Sequence, residues 1–317
     1  MTEYEPIELR AYYRAASHLP LREMLEQSGL WRAVGVERVH WEYCDSSTPA
    51  ENALAEGRID FISGNHITPY KLFAEGFPIV HLASPRNSVR DKLASRRPVQ
   101  SLAELRGWRL GETAQTGPDG GYAHNRGNHI LYLQRAGVER HDVEWVELAR
   151  SMSAGLREKQ FQALQDGRID AAFVTGSTAA YEAAGYPVLD LDPLPMIHGP
   201  TLTTTTTRLA RPDRLGERLL KAMVLAIHFA TTHEAETNRI LESLAQRLGE
   251  TRTYTAARIA RLPRKPYPTL PAVANAYELA CLQYPAAREI SPLALWDLHY
   301  LRALDEAGYI DGLYAGD

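Results

Sequence analysis

One phrase occurs twice in this chain. Ala53-Leu54-Ala55-Glu56-Gly57-Arg58-Ile59-Asp60-Phe61-Ile62-Ser63-Gly64 returns 110 positions later as Ala163-Leu164-Gln165-Asp166-Gly167-Arg168-Ile169-Asp170 with a second apolar run, Ala171-Ala172-Phe173-Val174-Thr175-Gly176. Each copy reads as a helix end, a glycine stop, a short apolar strand and a polar loop. The spacing is too long for a solenoid repeat, so the phrase predicts an α/β fold of two Rossmann-like lobes with a ligand cleft between them. The expected division is residues 1–84 with 200–317, including C-terminal helices, as one lobe and residues 85–199 as the other.

In open α/β sheets, ligands sit beyond the carboxyl ends of the strands. The first copy delivers Ser63, Asn65 and His66 there, followed by Thr68 and Tyr70; the second delivers Ser177 and Thr178. Such residues also cap helices, and each loop by itself is read that way first. Two equivalent loops turn the preference toward ligand binding. Arg14 and His18 occupy a matching position after the first expected strand, residues 7–13. The glycine-rich stretch 112–121 contributes Thr113, Thr116 and Gly117, and Arg126 is a candidate carboxylate clamp. That stretch matches neither a dinucleotide nor a Walker pattern. His124 and His129 are expected at the surface or in a cap.

The 317 residues exceed a usual single core, with 44% hydrophobic and 23% charged residues and a formal charge of −4. Nothing in that balance calls for nucleic acid or an acidic membrane. The basic run 86–97 contains Asp91 and reads as a solvated loop or helix face. Cys44 and Cys281 lack metal-ligand spacing and suit a reducing compartment. The acidic start and the lack of a long apolar run predict a cytoplasmic chain without membrane insertion, or a periplasmic one if a signal was removed.

Further strands are expected over 36–43, 59–63, 79–83, 108–111, 143–148 and 186–191, and the threonine-rich stretch 201–207 should return to the first lobe. Helices are expected at 20–27, 49–56, 101–107, 128–135 and 212–232. Leu295, Leu298, Leu301 and Leu304 should dock a helix over 293–307 onto a core.

Gly57-Arg58-Ile59-Asp60, Gly76-Phe77-Pro78-Ile79-Val80, the run from Ser101 to Gly111 and Gly167-Arg168-Ile169-Asp170 together resemble the type II periplasmic-binding-protein fold. The chain is similar to its thiamine-pyrimidine-synthase-like and nitrate/taurine-type solute-binding group. That resemblance implies either a receptor that hands a small anion to an importer permease or a cytoplasmic enzyme. The lysine and cysteine signature of the pyrimidine synthases is missing, and where aromatic sulfinate desulfinases have a nucleophilic cysteine this chain has His18. Pro195-Met196-Ile197-His198 looks like a crossing strand of the dihydroxyphthalate decarboxylases. The expectation is a decarboxylase-like lyase acting on an aromatic or heteroaromatic acid, with His18, His66 and His198 as acid/base groups and no metal or cofactor. The alternative is a solute-binding protein of an ABC importer, without catalysis.

Overall fold

The computed structural model describes residues 4–114, 124–149, 155–248, 259 and 261–315. The chain is a mixed α/β protein with two compact units. The first comprises Met1–Asn87, Ile197–Ala274 and Ala286–Asp317; the second comprises Ser88–Met196 and Asn275–Pro285. In chain order the strands are β1 (Ile7–Tyr13), β2 (Val36–Tyr43), β3 (Phe61–Ser63), β4 (Ile79–Ala83), β5 (Ser88–Val89) and β6 (Asp91–Ser95). They continue as β7 (Arg109–Thr113), β8 (Glu144–Ala149), β9 (Ala171–Thr175), β10 (Val188–Asp190), β11 (Leu194–Pro195) and β12 (Leu202–Thr205).

The first unit's sheet runs β2-β1-β3-β12-β4 and the second unit's runs β8-β7-β9-β6-β10. In each, three parallel strands meet one reversed strand beside the strand that follows the repeated phrase. The phrase itself is a register device. Gly57 and Gly167 adopt left-handed φ values of 67° and 69°. The N–H groups of Arg58 and Arg168 then bond back to the carbonyls of Ala53 and Ala163, each at 2.9 Å, in the double-bonded helix stop that glycine permits. Asp60 next exchanges bonds with Arg10: its carboxylate accepts Arg10 N–H at 2.8 Å and its own N–H donates to Arg10 O at 2.8 Å. Asp170 does the same with Arg109, at 2.9 and 2.8 Å. Each aspartate thus locks the incoming strand to its neighbour.

Leu9 and Ala11 of β1, Phe61 of β3 and Leu82 of β4 form the first unit's core with Met24 from helix Leu19–Gln27 and Leu220, Val224 and Ile227 from helix Leu215–Thr232. Fully burying a side chain of this size contributes roughly 1.5–3 kcal/mol, so these layers hold the strand ends that carry the candidate site. The second unit has its own cluster around Leu164, Ile169, Ala172, Val174 and Tyr181.

Three expectations need correction. The basic run 86–97 is no solvated face: Asp91–Ser95 is strand β6, paired on both sides, with Leu93 and Ala94 fully buried. Ladder pairing overrode a sequence with only one large apolar side chain. The helix expected over 293–307 starts at His299, because Leu295 and Asp297 pair with the backbone of His81 on β4 at 2.8 and 2.9 Å. Those bonds satisfy an otherwise open sheet edge. Residues 275–285 sit with the second unit instead of the first, since Leu279 packs against Gly127 and the Asn275 amide bonds to Pro195 O and Arg135.

Candidate functional site

At the carboxyl end of β1 the chain turns through Ala16–His18 into helix Leu19–Gln27, with Pro20 in its first turn. This turn buries His18 and sets its Nδ1 2.9 Å from the carbonyl oxygen of Ser63, the last residue of β3. A carbonyl only accepts, so Nδ1 carries the proton. Burial lowers the pKa of His18 to about 4, against the Ser63 bond, and the positive fields of Arg86 and Arg14 push the same way as burial. At neutral pH the ring is uncharged and its proton-free nitrogen is Nε2. No described residue bonds to Nε2.

Gly64 explains how close this packing is. Its φ is 104°, and a Cβ there would overlap His18 Cε1 and lie 3.0 Å from Arg14 Cγ. Imidazole and arginine stem therefore converge on one backbone position that only glycine fits. The loop is held from beneath by Gly64 N–H to Thr201 O at 2.8 Å and by the Thr203 hydroxyl to Gly64 O at 3.0 Å. Thr203 Oγ1 also receives His81 Nδ1 at 2.9 Å, and β12 thereby sets the height of the loop.

Arg14 spends its terminal nitrogens on neutral oxygens, Nη1 on Cys44 O and Nη2 on Ser47 Oγ, both at 3.0 Å. Its Nε is buried without a hydrogen-bond partner among the described residues, and desolvation lowers the pKa of the guanidinium. Ser47 passes the interaction to Asn65 Oδ1 at 3.2 Å, and Asn65 Nδ2 donates to Glu51 Oε1 at 2.7 Å. The Thr68 hydroxyl lies against both Glu51 and Asn65, 2.9 Å from the latter's Oδ1. Because Glu51 only accepts, the amide orientation is fixed, and so is the left-handed Asn65 with φ 72°. Among the described residues no carboxylate contacts Arg14: Glu51 stands two hydrogen-bonded side chains away, and Asp45 acts on the guanidinium only through its field.

Of the residues singled out from the sequence, Arg14, Asn65 and Thr68 are joined in this network, and the bonded pair of His18 and Ser63 packs beside it at Gly64. His66 is buried next to Asn65. Tyr70 is completely buried below the loop, its hydroxyl 3.4 Å from Trp296 Nε1, which leaves no ring face for a ligand. His198 is half-buried, and its N–H donates to Arg86 O at 3.1 Å. Sequence reasoning missed Ser47, Glu51 and Arg86. Glu51 had a signal, an acid on the face of helix Ser47–Ala55 that also carries the buried Ala50 and Leu54.

In the second unit, Arg126 is nearly buried: Nη1 donates to Thr113 O at 2.9 Å and meets Glu147 at 3.3 Å, and the guanidinium lies 5.0 Å over the Trp145 ring. Thr178 donates to Glu182 at 3.2 Å, while Ser177 Oγ accepts from Ala179 N–H at 3.3 Å. Both serve the start of helix Ala179–Ala183. Thr116 and Gly117 lie outside the described residues. His129 is not a surface group. It stacks on Phe173 at 4.3 Å, its Nδ1 bonds to Glu112 and its Nε2 lies 3.5 Å from Asp91. Burial lowers its pKa, but Glu112 and Asp91 outweigh that and raise it to about 9.

No family model and no curated protein sequence matches the chain. Solved structures do. The periplasmic aliphatic sulphonate binding protein SsuA of Escherichia coli superposes with a TM-score of 0.61 at 18% identity, covering 89% of this chain and 88% of that one. The sulfonate-binding protein SsuA of Methylobacillus flagellatus KT gives 0.65 at 15% identity, over 96% of both chains. A point mutant of the desulfurization enzyme DSZB, in complex with biphenyl-2-sulfinic acid, gives 0.61 at 16% identity, over 93% and 98%. The chain has the type II periplasmic-binding-protein fold. Within it, the loops after β1 and β3 that carry Arg14, His18 and Gly64 are strand-end loops of the kind in which open α/β sheets hold ligands. Among the described residues no helix is long and apolar enough to cross a membrane.

Proposed function

We propose that the protein binds a small organic anion, a sulfonate or carboxylate, at the strand-end loops that carry Arg14, His18 and Gly64, and holds it without changing it. The observation that carries this reading is the arrangement of Arg14: a largely buried guanidinium with no carboxylate in contact among the described residues, its stem packed with a neutral imidazole against a glycine backbone. A buried cation without a contacting counter-ion favours an incoming anion. The fields of Arg14 and Arg86 at His18 have the same sign. Sulfonates are also what the similar SsuA proteins are named for binding.

As an acid in a lyase, His18 would have to donate a proton near neutral pH. With a pKa of about 4, only about 0.1% of the ring is protonated there. A receptor role asks only for a fixed hydrogen-bonding edge, which the Ser63 bond supplies. In that role the macromolecular partner is an importer permease and the working compartment is the periplasm.

Calorimetric titration with short sulfonates and carboxylates, followed by mass analysis of the recovered ligand, tests the reading. The expected result is saturable binding near the micromolar range, about −8 kcal/mol, with the ligand mass unchanged. Loss of CO2 or SO2 from the ligand, or no binding at millimolar concentration, would contradict it.

A further inference from the structure

His18 is sealed to 5% exposure, and its ring edge is assigned atom by atom. Nδ1 faces Ser63 O, Cε1 packs over Gly64, and Nε2 is the ring atom bonded to Cε1 on its other side. The Ser63 carbonyl cannot donate, so the neutral ring must keep its proton on Nδ1 and present Nε2 as an acceptor. A second observation fixes the surroundings: the Arg14 stem lies against the same Gly64 position, so arginine stem and imidazole pack on one backbone site.

Resting on the anion-binding reading above, we propose that the Nε2 of His18 selects for a hydroxyl or N–H donor on the bound acid, so that the ligand class is a hydroxy- or amino-substituted organic acid. Arg14 takes the anionic group and His18 takes a donor elsewhere on the same small molecule. A ligand with a methyl group in place of the donor leaves Nε2 desolvated and unpaired. Discrimination of this kind is strong because the unpaired site group bears the cost as well as the missing bond.

The test compares near-isosteric pairs on the full chain: 2-hydroxyethanesulfonate against propane-1-sulfonate, and glycolate against propanoate. The better pair should show at least a tenfold preference for the hydroxyl member. His18→Asn keeps a donor for Ser63 O while removing Nε2, and should reduce that preference to less than about threefold. Equal or tighter binding of the methyl members to the unaltered protein overturns the assignment while leaving anion binding intact. An undiminished preference in His18→Asn overturns it too. If no member of either pair binds, the anion-binding reading and this inference fail together. The comparison on the unaltered protein needs no variant to fold.

Discussion

The Nδ1 of His18 donates to the carbonyl oxygen of Ser63 at 2.9 Å, across 45 positions of sequence. The bond joins the loop after β1 to the end of β3, fixes the tautomer, and leaves Nε2 as the proton-free nitrogen. The site is therefore a consequence of strand order: β1 and β3 are neighbours, so their carboxyl-end loops meet.

Gly64 and Gly57 both have positive φ but differ in their surroundings. Gly64→Ala must pay for left-handed backbone and also displace His18 and Arg14, whereas a Cβ at Gly57 meets nothing within 4 Å. Gly57→Ala should cost about 1–2 kcal/mol, and Gly64→Ala more than that together with loss of anion binding. Denaturant melts of both variants check the order.

Asp60 and Asp170 are equivalent in the repeat but should not be equally costly to lose. Asp60 bonds Arg208 at 2.6 Å in a nearly buried pair that Asp213 completes, while the Asp170–Arg109 pair is about one third exposed. Asp60→Asn should destabilise by about 3 kcal/mol or more, as breaking a buried pair does, and Asp170→Asn clearly less. Urea midpoints measured side by side decide this.

The histidines give stability two pH limbs of opposite sign. His18 and His124 are held near 4 and His81 near 3, all by burial first. The unfolded chain takes up their protons first, so stability falls as pH drops below about 6.5, by up to about 1.4 kcal/mol per unit for each. His129 is raised to about 9 by Glu112 and Asp91, so its contribution is complete below about 6.5 and is lost as pH rises through about 9. Thermal melts from pH 4 to 10 should peak near 6.5–7. His129→Phe keeps the ring stack on Phe173 but takes the cation away from two buried carboxylates, Glu112 and Asp91. It should cost about 3–5 kcal/mol and remove the His129 part of the alkaline limb.

The fold was legible because its marker is local. Helix stop, Gly57 or Gly167 and the strand-locking aspartate are all set by short-range backbone chemistry, and the repetition declared two similar halves. The capping box of Ser101 and Glu104 was readable for the same reason. The site was legible only in outline. Arg14, His18 and Ser63 could be placed at strand ends, but the Ser47–Asn65–Glu51 chain depends on which face of a helix is buried. Asp91–Ser95 hid because its pairing partners lie far away in sequence, and His129 because its carboxylates come from two separate strands.

The most direct measurement is the affinity of one short sulfonate, 2-hydroxyethanesulfonate, for the unaltered protein and for Arg14→Ala, with melting temperature as the folding control. The account predicts a folded variant whose affinity falls at least tenfold, about 1.4 kcal/mol, because the guanidinium that receives the anion is gone. An Arg14→Ala protein that binds the sulfonate as tightly as the unaltered chain would contradict the assignment of the site.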